Sequence, residues 1–145
     1  MNNKLCCIYA YYEKTDSYKS NLEYFLKNAI LDNVDYYIII NGNSTINIPS
    51  KFNIIVYKRP NIGFDFGAYS YAVSKINKIY DYYFFLNTSV CGPYLRNNDK
   101  PWTSYFLDLF NKNLKTKLVG TTINIYGVKS FNGKNFVKLY GNKSV

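Results

Sequence analysis

Short apolar runs alternate along the chain with stretches whose apolar residues recur at helical spacing. Residues 5–11, Leu-Cys-Cys-Ile-Tyr-Ala-Tyr, are continuously apolar and predict a first strand. Asp16 or Ser17 can cap a helix in which Tyr18, Leu22, Phe25, Leu26 and Ala29 form one stripe. Residues 35–40 predict a second strand ending at Asn41-Gly42, residues 43–50 a loop, and residues 52–57 a third strand. After the polar segment 58–63, Phe66, Tyr69, Ala72, Val73 and Ile76 predict a second helix. Residues 82–86 are apolar without alternation, as expected of a strand buried on both faces. A loop over 87–99 carries Gly92-Pro93, and Pro101 introduces a third helix over 102–110. Residues 118–123 predict a fifth strand, and residues 126–140 a hairpin about Asn132-Gly133.

This order predicts an α/β fold: an open, mostly parallel twisted sheet with helices on both faces, Rossmann-like, closed by a C-terminal β-hairpin. The 145 residues fit one domain, with no linker and no internal repeat. Right-handed crossovers bring the loops after the strands to one sheet edge. Open α/β sheets bind their ligands at that edge. The loops so gathered are 11–12, 41–44, 58–65 and 87–93.

Composition narrows the chemistry. There is no histidine, which removes the usual general base and the commonest metal ligand. Cys6, Cys7 and Cys91 have neither metal nor disulfide-framework spacing. They fit a reducing, cytoplasmic compartment. Nothing resembles a signal peptide, and no run approaches the roughly 20 apolar residues of a membrane span. The net charge of +9 favours anionic partners. The lysines are scattered rather than blocked, and the aromatics fall largely at core-type positions, so nucleic acid is the weaker reading of that charge.

Three segments can carry chemistry. In Arg59-Pro60-Asn61-Ile62-Gly63-Phe64-Asp65-Phe66-Gly67, two glycines bracket an aspartate at a helix start. Gly63 permits a close backbone approach, the helix start offers free N–H groups to an anion, and Arg59 can fork onto a phosphate. Asp65 is either a ligand-facing carboxylate or the helix cap. Asn87-Thr88-Ser89 ends a strand with small polar groups, able to bond a phosphate or ribose or simply to satisfy a turn. Asn41-Gly42-Asn43-Ser44 is, by itself, a turn.

Taken in order, these segments resemble the GT-A glycosyltransferases, close to family 2. The family's acidic Gly-Ser turn after the second strand is matched by Asn41-Gly42-Asn43-Ser44. Its Asn-x-Gly segment is matched by Asn61-Ile62-Gly63, and its Asp-x-Asp strand end by Asn87-Thr88-Ser89. A narrower similarity, to glycosyltransferase-like domains of algal and giant DNA viruses, runs through four phrases. They are Tyr9-Ala10-Tyr11-Tyr12-Glu13, Asn61-Ile62-Gly63-Phe64-Asp65-Phe66-Gly67-Ala68, Phe85-Leu86-Asn87-Thr88-Ser89-Val90-Cys91-Gly92-Pro93 and Leu118-Val119-Gly120-Thr121-Thr122-Ile123-Asn124.

The resemblance implies a UDP- or GDP-sugar donor, a glycan or glycoprotein acceptor and a divalent metal, Mn²⁺ or Mg²⁺, in the cytoplasm (the host's, for a viral protein). Tyr11 would lie near the base. Asn41 and Asn43 would line base or ribose, Arg59, Asn61, Gly63 and Asp65 would face the nucleotide or donor sugar, and Asn87 and Ser89 would meet metal and diphosphate. Residues 1–95 would be the nucleotide-sugar part and residues 96–145 a short acceptor part. Both acidic metal positions of the family are amides or hydroxyls here. No Asp or Glu follows Asp108, so a base for single displacement falls to Asp65, Asp99 or a partner chain. Two other readings follow from these departures and from the charge: a catalytically inactive donor-binding module, and a basic nucleic-acid-binding domain.

Overall fold

A computed structural model of the chain describes residues 3–120. The chain divides at Trp102 into two units, the first of which holds the sheet. The elements of that unit are β1 (Leu5–Tyr11), α1 (Asp16–Asn28), β2 (Val34–Asn41), β3 (Ile54–Arg59), α2 (Phe64–Lys75) and β4 (Tyr82–Asn87). The last described helix, α3 (Trp102–Lys112), begins directly after Pro101 and runs into the second unit. It is followed by a turn in which Thr116 N–H donates to the Asn113 carbonyl.

All four strands are parallel, in the order β3-β2-β1-β4. β1 pairs with β2 from Leu5↔Val34 to Tyr11↔Ile40, and with β4 from Leu5↔Tyr82 to Ala10↔Asn87. Every residue of β1 is buried, which explains its unbroken apolar sequence: a central strand has no solvent face. The two faces are covered by different helices. Cys6, Ile8 and Ala10 of β1 join Tyr37 and Ile39 of β2 under Ala68 and Ala72 of α2. On the opposite face, Tyr9 meets Phe25 of α1 at 5.1 Å between ring centroids, and Phe25 meets Tyr36 at 5.9 Å and Trp102 at 6.2 Å. The Trp102 indole N–H donates to the Ala29 carbonyl at 2.8 Å, so that buried donor is satisfied.

Five expectations change. β3 runs over Ile54–Arg59 rather than 52–57, so Lys58 and Arg59 end the strand instead of opening the loop. Thr15, one residue before the predicted caps, caps α1; its Oγ1 accepts from Tyr18 N–H. The stripe on α2 holds in part: Tyr69, Ala72 and Ile76 pack against the core, joined by Ala68, but Phe66, at 84% exposure, and Val73 face outward. Small residues let this helix lie close to the sheet, a packing that a search for large apolar side chains overlooks. β4 is not buried on both faces, because it is the last strand on its side among the described residues; Tyr83 and Phe85 remain 40% and 48% exposed. Of the predicted fifth strand, residues 118–120 have no regular structure, and the remainder lies outside the described residues together with the predicted hairpin over 126–140.

Among the described residues, no helix is long and apolar enough to cross a membrane.

Candidate functional site at the carboxyl edge of the sheet

The strand order creates the site. The chain leaves β1 toward β2 through α1 on one face and reaches β4 from β3 through α2 on the other. The strand order therefore reverses between β1 and β4, a place at which open α/β sheets take ligands, and the loop after β4 runs on the α1 face, where Tyr94 meets Tyr24. Thr88 rivets the two strand ends together. Its Oγ1 accepts from Tyr12 N–H at 3.0 Å and donates to the Ala10 carbonyl at 3.1 Å. Its carbonyl accepts from the Asn21 amide at 2.9 Å. The middle residue of Asn87-Thr88-Ser89 is thus structural, and its two neighbours are left to other partners.

Successive strand residues face opposite sides, and this divides the predicted site residues into two groups. Asn41 follows Ile39 by two, Arg59 follows Tyr57 by two, and Asn87 pairs with Ala10, so all three lie on the α2 side. Tyr11 follows Tyr9 by two and lies on the α1 side.

On the α2 side, Asp65 Oδ2 accepts from the Asn87 side-chain N–H at 2.8 Å, and Ser89 Oγ donates to Asn87 Oδ1 at 2.7 Å. Asp65, Asn87 and Ser89, remote in sequence, form one chain of hydrogen bonds. Asp65 is not the helix cap: that position is Gly63, which offers no side chain, so no side chain occupies the first-turn N–H groups. Arg59 braces the loop leading into α2. It donates from Nη1 to Asn41 Oδ1 and from Nη2 to the Ile62 carbonyl, both at 2.6 Å, with its guanidinium 5.8 Å from the Tyr71 ring centre. The loop is tight. Gly63 has φ of 74° and Phe64, unusually for a non-glycine residue, φ of 51°. A Cβ on Gly67 would stand 2.1 Å from the Ile62 carbonyl oxygen, which explains the second glycine. Two buried polar atoms here have no hydrogen-bond partner among the described residues: Asn61 Oδ1, and the Nδ2 of Asn41, a residue only 1% exposed.

On the α1 side the organising group is Glu13. Its Oε2 accepts from the Tyr11 hydroxyl at 2.8 Å, the Ser44 hydroxyl at 2.9 Å and Thr45 N–H at 2.8 Å, and its Oε1 from the Thr45 hydroxyl at 2.6 Å. These bonds, the Thr45 hydroxyl first, hold its carboxyl down at about 2. Sequence reasoning assigned Glu13 no role, although the coincidence of a carboxylate after β1 with adjacent hydroxyl residues after β2 was available as a signal. Tyr11 is fully buried. Asn43 is exposed and takes no part in the Glu13 cluster. Asp99 Oδ2 accepts from Arg96 N–H at 2.7 Å, closing its own turn. No hydrogen bond among the described residues brings it to Asp65.

A divalent metal fits this edge poorly. Mg²⁺ and Mn²⁺ call for several oxygen ligands, carboxylates above all. Asp65 supplies one carboxylate, and Asn87 turns its N–H donor toward it rather than its oxygen. Among the described residues no group of three acidic, cysteine or histidine side chains could hold an ion. An open depression of about 690 Å³ does exist, but at the opposite edge, among Lys4, Asp35, Lys78 and Tyr80. Of its two carboxylates, Asp32 is exposed, and Asp35 already accepts from Lys78 at 2.9 Å and from the Tyr80 hydroxyl at 2.5 Å. The carboxyl edge, with its reversal of strand order, helix start and unspent polar groups, is the better candidate.

No protein-family model matches the sequence, and no curated protein or solved structure matches it significantly.

Proposed function

We propose that the chain binds a nucleoside-diphosphate sugar, a UDP- or GDP-sugar, at the carboxyl edge of its sheet and transfers the sugar to a hydroxyl of a glycan or glycoprotein. The observation that carries this reading is the Asp65–Asn87–Ser89 chain at the start of α2. It sets a carboxylate acceptor beside helix-start N–H donors that no side chain caps. The diphosphate lies against those N–H groups, with Arg59, on the same side of the sheet, adding positive charge nearby. Asp65, oriented by Asn87, accepts the proton of the attacking hydroxyl as that oxygen bonds the anomeric carbon and the bond to the diphosphate breaks. The diphosphate departs with the electron pair. No step is assigned to a metal, because the side chains present do not make an oxygen cage.

The test is a panel of UDP- and GDP-sugars added to the full chain, with and without Mn²⁺, following the melting temperature and free nucleotide diphosphate. A ligand bound only by the folded state raises that temperature, by an amount equivalent to about 2.7 kcal/mol at a hundredfold excess over Kd. Stabilisation together with diphosphate release in the presence of acceptor supports transfer. With Glu13 saturated by the Tyr11, Ser44 and Thr45 donors, Asp65 alone keeps accepting capacity, which favours a second reading, a donor-binding module without turnover that predicts stabilisation and no release. No stabilisation by any donor would sink both. A salt-sensitive shift with oligonucleotides instead would favour the nucleic-acid reading, to which the exposed Phe52, Phe64, Phe66 and Tyr94 lend surface for stacking.

A further inference from the structure

The connection between β2 and β3 is unusual in joining two parallel neighbours without a helix. Its ends are fixed. Gly42 leaves β2 with φ of 85°, a conformation that favours glycine, and its N–H donates to the Arg59 carbonyl at 2.7 Å. The buried Asn53 closes the other end, donating from its side chain to the Leu31 and Val34 carbonyls at 2.8 and 2.9 Å. Residues 43–52 between them have no regular structure. Among the described residues, apart from the bond of Ile54 N–H to the Lys51 carbonyl beside β3, their hydrogen bonds to the rest of the chain end on two side chains. Ser44 Oγ, Thr45 N and Thr45 Oγ1 donate to Glu13, and Lys19 donates to Thr45 Oγ1 at 2.9 Å. The same Glu13 carboxylate holds the hydroxyl of Tyr11, which is wholly enclosed.

A carboxylate suits this task because it accepts only, with about four lone-pair sites on its two oxygens. An amide of the same shape serves less well: with its oxygen in the place of Oε2 its nitrogen faces the Thr45 hydroxyl, which must turn its proton away to accept, and every remaining bond loses its charge assistance. We propose that Glu13 is a positioning residue that latches residues 43–52 as a strap across the carboxyl end of β1, and that release of this latch uncovers Tyr11 to a ligand. The hinge is Gly42, and Asn53 is the fixed end. The strap follows from the hydrogen bonds alone and stands whether or not the ligand is a nucleotide sugar.

The test compares the full chain with Glu13→Gln by amide hydrogen exchange and by nitration of tyrosines with tetranitromethane, read residue by residue. Exchange over residues 43–48 is expected to rise by about tenfold or more, as for other local openings, with the amides of β1 and β2 unchanged. Nitration of Tyr11 should rise with it, an effect that mere loss of a surface contact would not produce. If Glu13→Gln does not fold, the double variant Ser44→Ala/Thr45→Val removes two strap donors while leaving the Glu13–Tyr11 bond, and the same local rise is expected. Unchanged exchange and nitration in a folded variant, or a rise spread evenly through β1 and β2, would overturn the strap. A chain that loosens locally yet binds no nucleotide would keep the strap and remove only the donor reading.

Discussion

On the α1 side of β1, both oxygens of Glu13 are occupied, by two hydroxyl residues of the strap, a backbone N–H and the Tyr11 phenol. On the α2 side, Asp65 gives Oδ2 to one amide, and Oδ1 has no partner among the described residues. These carboxylates serve the same sheet edge, yet only one keeps capacity. A carboxylate saturated by neutral donors is held charged and fixed, and has become part of the scaffold. A carboxylate with one oriented partner is aimed and still able to accept a proton or a hydrogen bond. The distinction lies in the donors that surround each group, not in its residue type or in its distance from a motif.

The largest expected effect falls on the unspent carboxylate. Asp65→Asn should lower sugar transfer by about 10²- to 10⁴-fold, the usual contribution of a general base, with donor-induced stabilisation retained. Diphosphate release with acceptor present measures it. If transfer persists, Asp65 is not the base. Next is Gly67→Ala, whose Cβ would meet the Ile62 carbonyl oxygen at 2.1 Å, a backbone atom that cannot swing aside. Overpacking of this kind costs about 1–3 kcal/mol, so the melting temperature should fall while exchange over residues 43–48 keeps its native pattern. A matching loss of the strap would show that the two sides are not independent.

Acid offers a gentler separation. The carboxyl of Glu13 sits lower in the folded chain, at about 2, than its ordinary value of 4.5. A depressed folded value contributes stability above the unfolded value and loses it as pH falls. The strap amides should therefore stay protected at neutral pH and lose protection between about 4.5 and about 2. Exchange measured across that range checks the sign; protection that increases on acidification would contradict the latch. Asn43→Ala should do least, within about 0.5 kcal/mol of the parent, because exposed positions away from such networks rarely matter to stability. Any change in donor affinity from that variant would then report a direct contact.

Much of the fold was legible because burial writes itself into composition. β1 and β2 read as strands from their apolar runs, and α1 from Leu22, Phe25, Leu26 and Ala29 at helical spacing, all of them buried. α2 was legible as a helix and in part as to its face: Tyr69, Ala72 and Ile76 pack against the core as their spacing predicts, whereas Phe66 and Val73 lie outside and Ala68 takes a buried place. The exposure of β4 was not legible either: its apolar residues describe what a strand tolerates, and its place in the sheet depends on which strands lie beside it.

The residues after each strand were similarly half readable. Asn41, Arg59, Asp65, Asn87 and Ser89 were nominated from turns, glycines and polarity, which are local properties that a sequence carries in full. By itself the sequence determined these local states: the presence of the described strands and helices (though not the cap of α1), the glycine-dependent turn before α2 and the scarcity of carboxylates at the strand ends. Only the tertiary structure decided which of those groups meet. The order β3-β2-β1-β4 put Asn87 against Asp65, set Arg59 to bracing Asn41 and Ile62, and brought Ser44 and Thr45 to Glu13. Pairings across tens of residues depend on strand order and on the alternation of faces, and neither is encoded in any short stretch of chain.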